Sequence, residues 1–169
     1  FVVSEQHGEP NFAGHMIDRA AFDSALVADA VRAGAICAFS TSLRSISFSG
    51  DVHLSGGTIL RPKVIIGADG PRSLTGKAIG RINHQIAETR QVTVPLLRPH
   101  TATDIFLGPD IPGGYAWLFP KGGTANLGLG VAEPYRARLK PLLEQLHTQL
   151  ADEGRVGREI LHHTGGAIP

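Results

Sequence analysis

Gly113-Gly114-Tyr115-Ala116-Trp117-Leu118-Phe119-Pro120-Lys121 is the stretch on which the reading of this chain turns, and Asn126-Leu127-Gly128-Leu129-Gly130-Val131 follows it after a short turn. Tyr115, Trp117 and Phe119 stand at alternate positions, in a chain with seven Phe, two Tyr and one Trp, so an extended strand puts all three rings on one face. Such a face is a wall suited to a flat or greasy ligand. The second segment reads as an antiparallel neighbour, and the side chains missing at Gly128 and Gly130 leave room for a ligand or for a close backbone. On pattern alone, a core hairpin accounts for the two segments equally well.

The 169 residues suffice for one domain or for two incomplete ones, and an apolar fraction of 42% suits a soluble globular protein. Lys plus Arg number 16 against 15 Asp plus Glu, with no basic run or aromatic-interleaved patch, which speaks against a nucleic-acid partner. Apolar runs such as Val64-Ile65-Ile66 fall far short of the roughly 20 residues that span a bilayer. Cys37 is the single cysteine, so there is no internal disulfide or paired thiol, and cytosolic exposure is the default. The eight histidines include no His-x-x-x-His pair, and the adjacent His162 and His163 would face opposite ways on a strand, so a metal site is not expected. The chain opens on Phe1-Val2-Val3 and stops at Gly165-Gly166-Ala167-Ile168-Pro169, and it reads as an internal piece of a longer protein.

Asp18 to Ala33 reads as a helix capped by Asp18, with Phe22, Leu26, Ala30 and Ala33 at helical spacing and Gly34 as its terminator. Ala35–Phe39, Leu43–Phe48, Val52–Leu54 and Thr58–Leu60 read as short strands of a β-meander. Lys63 to Ala68 carries a continuous apolar run, as a central strand covered on both faces would. From Ile82 to Val131 the texture changes to alternating strands with proline and glycine turns, which places a boundary near Gly80. Leu139, Leu142, Leu143, Leu146 and Leu150 then mark an amphipathic helix that tolerates Pro141 only in its first turn; its leucines read as core.

The junction Gly67-Ala68-Asp69-Gly70-Pro71-Arg72-Ser73 ends the apolar run in an acid, a permissive glycine and a proline suited to a helix start. At the carboxyl end of an α/β strand this arrangement suits a nucleotide, with a carboxylate for ribose and helix N–H groups for phosphate. For a lone Asp-Gly the favoured reading is the simpler one, a turn in which Asp69 caps the helix that follows. Other nucleotide and nucleophile motifs fail. Gly70 to Lys77 has five residues between its glycines where a P-loop has four, and Ala78 stands where the hydroxyl should be. Gly128-Leu129-Gly130 meets Glu133 at the third glycine position of a dinucleotide fingerprint, and no Gly-x-Ser-x-Gly elbow exists.

Three separated segments together carry a family resemblance. Asp18-Arg19-Ala20-Ala21-Phe22-Asp23-Ser24-Ala25-Leu26, the Gly67 to Ser73 turn, and the Tyr-x-Trp-x-Phe-Pro strand with its later Gly-x-Gly resemble the geranylgeranyl reductase family of flavoproteins in order and spacing. That family lies within the group that has the p-hydroxybenzoate hydroxylase fold. The resemblance implies a mixed α/β (α+β) fold, with residues 1–80 as part of a Rossmann-like FAD-binding domain and residues 81–169 as an antiparallel-sheet substrate domain.

The resemblance also implies roles. Arg19 matches an arginine that approaches FAD near its diphosphate and flavin, and Asp69 and Gly70 match an Asp-Gly motif associated with FAD binding. Tyr115, Trp117, Phe119, Pro120, Gly128 and Gly130 match the motif that shapes a tunnel for an isoprenoid chain. The implied reaction is reduction of isoprenoid C=C bonds, with NAD(P)H or another reductant as electron source and no catalytic acid evident. The family's N-terminal glycine fingerprint is absent, so the 169 residues alone are expected to retain FAD weakly or not at all. The sequence leaves open peripheral attachment to membranes, a monooxygenase of the same fold acting on aromatic or polyketide substrates, and a noncatalytic lipid-binding module or decayed fragment.

Overall fold

The computed structural model describes residues 2–4 and 16–169. In chain order its elements are β1 (Val2–Ser4), α1 (Arg19–Arg32), β2 (Leu43–Ile46), β3 (Val52–Leu54), β4 (Ile59–Leu60) and α2 (Leu74–Ala78). There follow β5 (Ala87–Pro95), β6 (Asp104–Phe106), β7 (Ala116–Lys121), β8 (Thr124–Ala132), α3 (Leu139–Asp152) and β9 (His162–Ile168). They divide into two compact units, residues 17–83 and residues 84–169, and the N-terminal residues group with the second. Residues 1 and 5–15 of the expected first domain lie outside the described residues.

The second unit is a six-stranded antiparallel sheet in the order β1-β6-β7-β8-β5-β9. Its centre is the β7–β8 hairpin, closed at Lys121↔Thr124 through Gly122-Gly123, where Gly122 has a φ of 63°. Strand alternation sorts the residues of β5, β7 and β8 onto two faces. Val92, Val94, Ala116, Leu118, Ala125, Leu127, Leu129 and Val131 point one way and pack with Leu139, Leu143 and Leu150 of α3. Pro141 falls in the first turn of that helix, where its missing N–H has no intrahelical acceptor to lose. Just after α3 in the chain, Arg155 pairs with the buried Asp104 of β6, and His100 Nε2 lies 3.1 Å from the other carboxylate oxygen. A buried carboxylate needs such partners, because an unpaired one is costly to desolvate.

The unit of residues 17–83 is built differently. α1 is capped as its sequence dictates: the Asp18 carboxylate accepts a hydrogen bond from Ala21 N–H at 3.1 Å, and Gly34 exits with φ 97°. β2, β3 and β4 form a three-stranded antiparallel meander. Two expected strands are absent. Ala35–Phe39 and Lys63–Ala68 have no ladder partner among the described residues, and neither is a strand. Far from being covered on both faces, Val64 is 75% and Ile66 is 86% exposed. An apolar run records a need for burial, whereas a strand forms only where neighbouring backbone accepts its hydrogen bonds. No residue in 17–83 is buried.

The core of the second unit generates a stability prediction. Leu127 is fully buried in it, so Leu127→Ala is expected to lower the unfolding free energy by about 2–5 kcal/mol, measured by urea denaturation.

Candidate functional site

The sheet face opposite α3 carries the aromatic row. Tyr115 immediately precedes β7, and the ladder extends to it, because Gly130 N–H donates to Tyr115 C=O at 2.9 Å. Tyr115 and Trp117 meet edge to face with ring centroids 5.7 Å apart, and Trp117 and Phe119 stack at 6.0 Å. The row is graded in exposure: Tyr115 is 45% exposed, Phe119 is half-buried and Trp117 is only 9% exposed. Trp117 is therefore a buried aromatic that lies outside the α3-packed cluster. Pro120, expected from sequence to share the substrate wall, follows Phe119 on the other side of the strand, opposite Ala125 of the α3-packed set, and Lys121 sits at the exposed hairpin turn.

The space left by the glycines is used by the protein's own groups. Gly128 is directly across from Trp117, and a Cβ there would lie 2.5 Å from Trp117 Cζ2 and 2.8 Å from the Arg90 carbonyl oxygen. The room above Gly128 is thus filled by the indole itself. Gly130 faces Thr89, whose Cγ2 would be 3.2 Å from an added Cβ. Gly114 is needed for a further reason, because a Cβ on it would fall 2.0 Å from the Gly130 carbonyl oxygen. Beyond Gly128, the indole N–H donates to Gln91 Oε1 at 3.1 Å, and Gln91 Nε2 donates to Thr164 Oγ1 at 3.2 Å. Sequence reading missed Gln91 and Thr164, since Gln91 lies in an ordinary alternating strand and Thr164 in a short His- and Gly-containing one, neither with a local signature.

In the other unit, Arg19 opens α1 with an exposed side chain, and its guanidinium forks onto the Asp23 carboxylate at 2.9–3.2 Å. The hydrogen bond and the charge of Asp23 push the Arg19 pKa further above its ordinary value. Asp69 is engaged locally. Ser73 Oγ donates to one carboxylate oxygen, and Thr75 donates to the other through its N–H at 3.1 Å and its hydroxyl at 3.3 Å. Ser73 also caps α2 by accepting from Gly76 N–H at 2.7 Å. These bonds, Ser73's first, hold the Asp69 carboxyl below its ordinary 3.8, at about 2. Gly70 follows with φ 82°, a conformation that favours glycine, and the space around it is open. The local-cap reading of Asp69 describes this geometry: its carboxylate shapes the turn, and the open side of the turn is the Gly70 backbone.

Comparison with known proteins bears on both units. Residues 86–168 match the family profile of the geranylgeranyl reductase catalytic domain. The digeranylgeranylglycerophospholipid reductase of Methanocaldococcus jannaschii is 32% identical over 168 residues, which cover 91% of this chain and 43% of that protein. The crystal structure of a geranylgeranyl bacteriochlorophyll reductase-like protein from Thermoplasma acidophilum superposes with a TM-score of 0.74 at 26% identity, over 93% of this chain and 44% of that one. A flavoprotein/dehydrogenase from Cytophaga hutchinsonii shares the fold alone, with a TM-score of 0.57 at 16% identity over 92% of this chain and 45% of its own. The fold is thus the mixed α/β arrangement with antiparallel sheets found in flavoproteins. Within that class, the chain belongs to the geranylgeranyl reductase family. It spans less than half the length of the relatives it matches.

Two predictions follow from this geometry. Because the folded state favours ionised Asp69, its stabilising contribution is complete above about pH 4 and is lost as the pH falls toward about 2. Carboxyl-detected NMR should place the Asp69 midpoint near 2, and Asp69→Asn should flatten that part of the acid limb. Gly128→Ala should displace the indole and cost about 1–3 kcal/mol through overpacking, with Trp117 emission changing alongside the denaturation midpoint.

Proposed function

We propose that this chain supplies the substrate-contact surface and part of the cofactor surround of an FAD-dependent reductase that hydrogenates the C=C bonds of an isoprenoid chain. The observation that carries this reading is the Tyr115–Trp117–Phe119 row on the sheet face that α3 leaves uncovered. Aromatic side chains offer large apolar area with few polar demands, which suits a hydrocarbon that must be gripped along its length. On this reading Pro120, which alternates onto the α3 side of β7, ends the strand without facing the hydrocarbon, whereas Tyr115 and Phe119 touch it directly. Trp117 is the flat floor between them, and Gly128 and Gly130 act by seating that floor and its neighbour. Residues 84–169 form the substrate unit, and residues 17–83 belong to the cofactor unit.

The residues present fit part of an FAD site. Arg19 carries an exposed, permanently charged guanidinium at the start of α1, which suits a diphosphate once it exchanges its Asp23 partner for the ligand. Asp69, its oxygens held by Ser73 and Thr75, fits as the shaper of a turn whose Gly70 backbone can approach a ligand closely. When bound, reduced FAD supplies a hydride to one alkene carbon while a proton completes the other, and NAD(P)H or another donor restores the flavin. The work of this chain is to bind and orient the alkene and to exclude water; we assign no catalytic acid to it. The exposed apolar surface of residues 17–83 fits a unit completed by further polypeptide, and the 169 residues alone are expected to hold FAD weakly. An isoprenoid lipid substrate also favours peripheral contact with a membrane, although no helix among the described residues is long and apolar enough to cross one.

The test uses the flavin-loaded polypeptide that carries this chain, with a geranylgeranyl lipid, a reductant and mass spectrometry of the product. A gain of two hydrogens per double bond is expected. Trp117→Ala should lower turnover by about 10- to 100-fold through misplacement of the alkene while flavin content stays intact. Arg19→Ala should weaken FAD binding instead. Oxygen insertion into a phenolic substrate, with isoprenoids unchanged, would replace the reading with a monooxygenase.

A further inference from the structure

Gln91 sits at the middle of β5, directly across from Gly128 on β8 and from Thr164 on β9. The Trp117 side chain leaves β7, passes over Gly128 and ends on Gln91, so it spans the whole width of β8. An indole N–H can only donate, so the group it meets must present an acceptor, and Gln91 presents Oε1 at 3.1 Å. This fixes the amide the other way round as well: Nε2 faces β9, where Thr164 Oγ1 accepts at 3.2 Å. The relay ties β7, β5 and β9 together through side chains on the face opposite α3. Its members are separated in sequence by 26 and 73 residues.

We propose that Gln91, anchored by Thr164, is a positioning residue that locks the Trp117 indole flat across Gly128 and so sets the depth of the apolar floor. The inference rests on reading that face as the isoprenoid surface. Gly128 removes the side chain that would prop the ring up, and Tyr115 and Phe119 flank it at centroid distances of 5.7 and 6.0 Å. The hydrogen bond to Gln91 supplies what packing does not, a fixed direction for the N–H edge. Without it, the ring can turn about its side-chain torsions into other staggered positions and roughen the floor on which the alkene is placed. The effect falls on turnover more than on affinity, because the apolar area remains while the registration of the reacting bond is lost.

Trp117 is the only tryptophan, so its indole ¹⁵N–¹H signal reports on the lock in the 169-residue chain without any substrate. Gln91→Leu should accelerate indole N–H exchange about tenfold, the loss of one hydrogen bond. Gln91→Glu, which keeps an acceptor for the indole and for the Thr164 hydroxyl, should restore slow exchange. Thr164→Val should act in the same direction as Gln91→Leu from the exposed edge strand, and it covers the case in which Gln91→Leu does not fold. In the flavin-loaded polypeptide, Gln91→Leu should lower kcat about tenfold with KM and flavin content little changed, and Gln91→Glu should recover it. Unchanged exchange in both Gln91→Leu and Thr164→Val would overturn the lock. Faster exchange with unaltered kcat and KM would overturn the positioning role. Should the parent polypeptide not reduce isoprenoids at all, the exchange data still decide the lock while the reading of the face fails separately.

Discussion

The pairing of Trp117 with Gly128 is the constraint on which the second unit depends. It fixes the β7–β8 register, and through β8 it fixes β5, whose Gln91 receives the indole N–H. Side chains alternate along a strand, so a slip of one residue would drive the indole toward Leu127 or Leu129 and turn the apolar set away from α3. The same register that buries Leu118, Leu127 and Leu129 therefore presents the aromatic row on the opposite side. Core and candidate site are two faces of one pairing, which explains why a sheet covered by one helix among the described residues carries so large an apolar residue on its other face.

The unit of residues 17–83 illustrates the opposite condition. Its local devices are all in place: the Asp18 cap, the Ser73 cap and the Asp69 clasp on Thr75. What it lacks is burial, since Phe22, Leu26, Ile36, Phe39 and Ile66 all stand exposed. Short-range hydrogen bonds shape helices and turns, but the dominant stabilisation of a domain comes from removing apolar surface from water. A unit rich in caps and poor in core is one whose apolar side chains call for a neighbour, in keeping with a chain that spans less than half the length of its relatives.

Much of this was legible from sequence where the cause is local. Asp18 with helical spacing gave α1, the leucine periodicity gave α3, and alternating aromatics before a Gly-Gly turn gave the hairpin and its one-sided row. The readings that went astray depend on distant partners. Lys63 to Ala68 has the composition of a central strand, yet no strand pairs with it among the described residues. At Gly128 the sequence signals only that there is room, for a ligand or for a close backbone, and the ring that takes it lies on another strand. Gln91 and Thr164 were invisible for the same reason: their roles exist only once the sheet brings β5 and β9 alongside β7 and β8.

On the proposed function, an isoprenoid chain lies on the face bearing Tyr115, Trp117 and Phe119. The most direct measurement is photolabelling with a geranylgeranyl lipid carrying a diazirine on its hydrocarbon, followed by peptide mapping of the adducts. Saturable labelling of Tyr115 and Phe119, competed by unlabelled lipid, is expected. Adducts concentrated on α3 or within residues 17–83, with the aromatic row unlabelled, would contradict it.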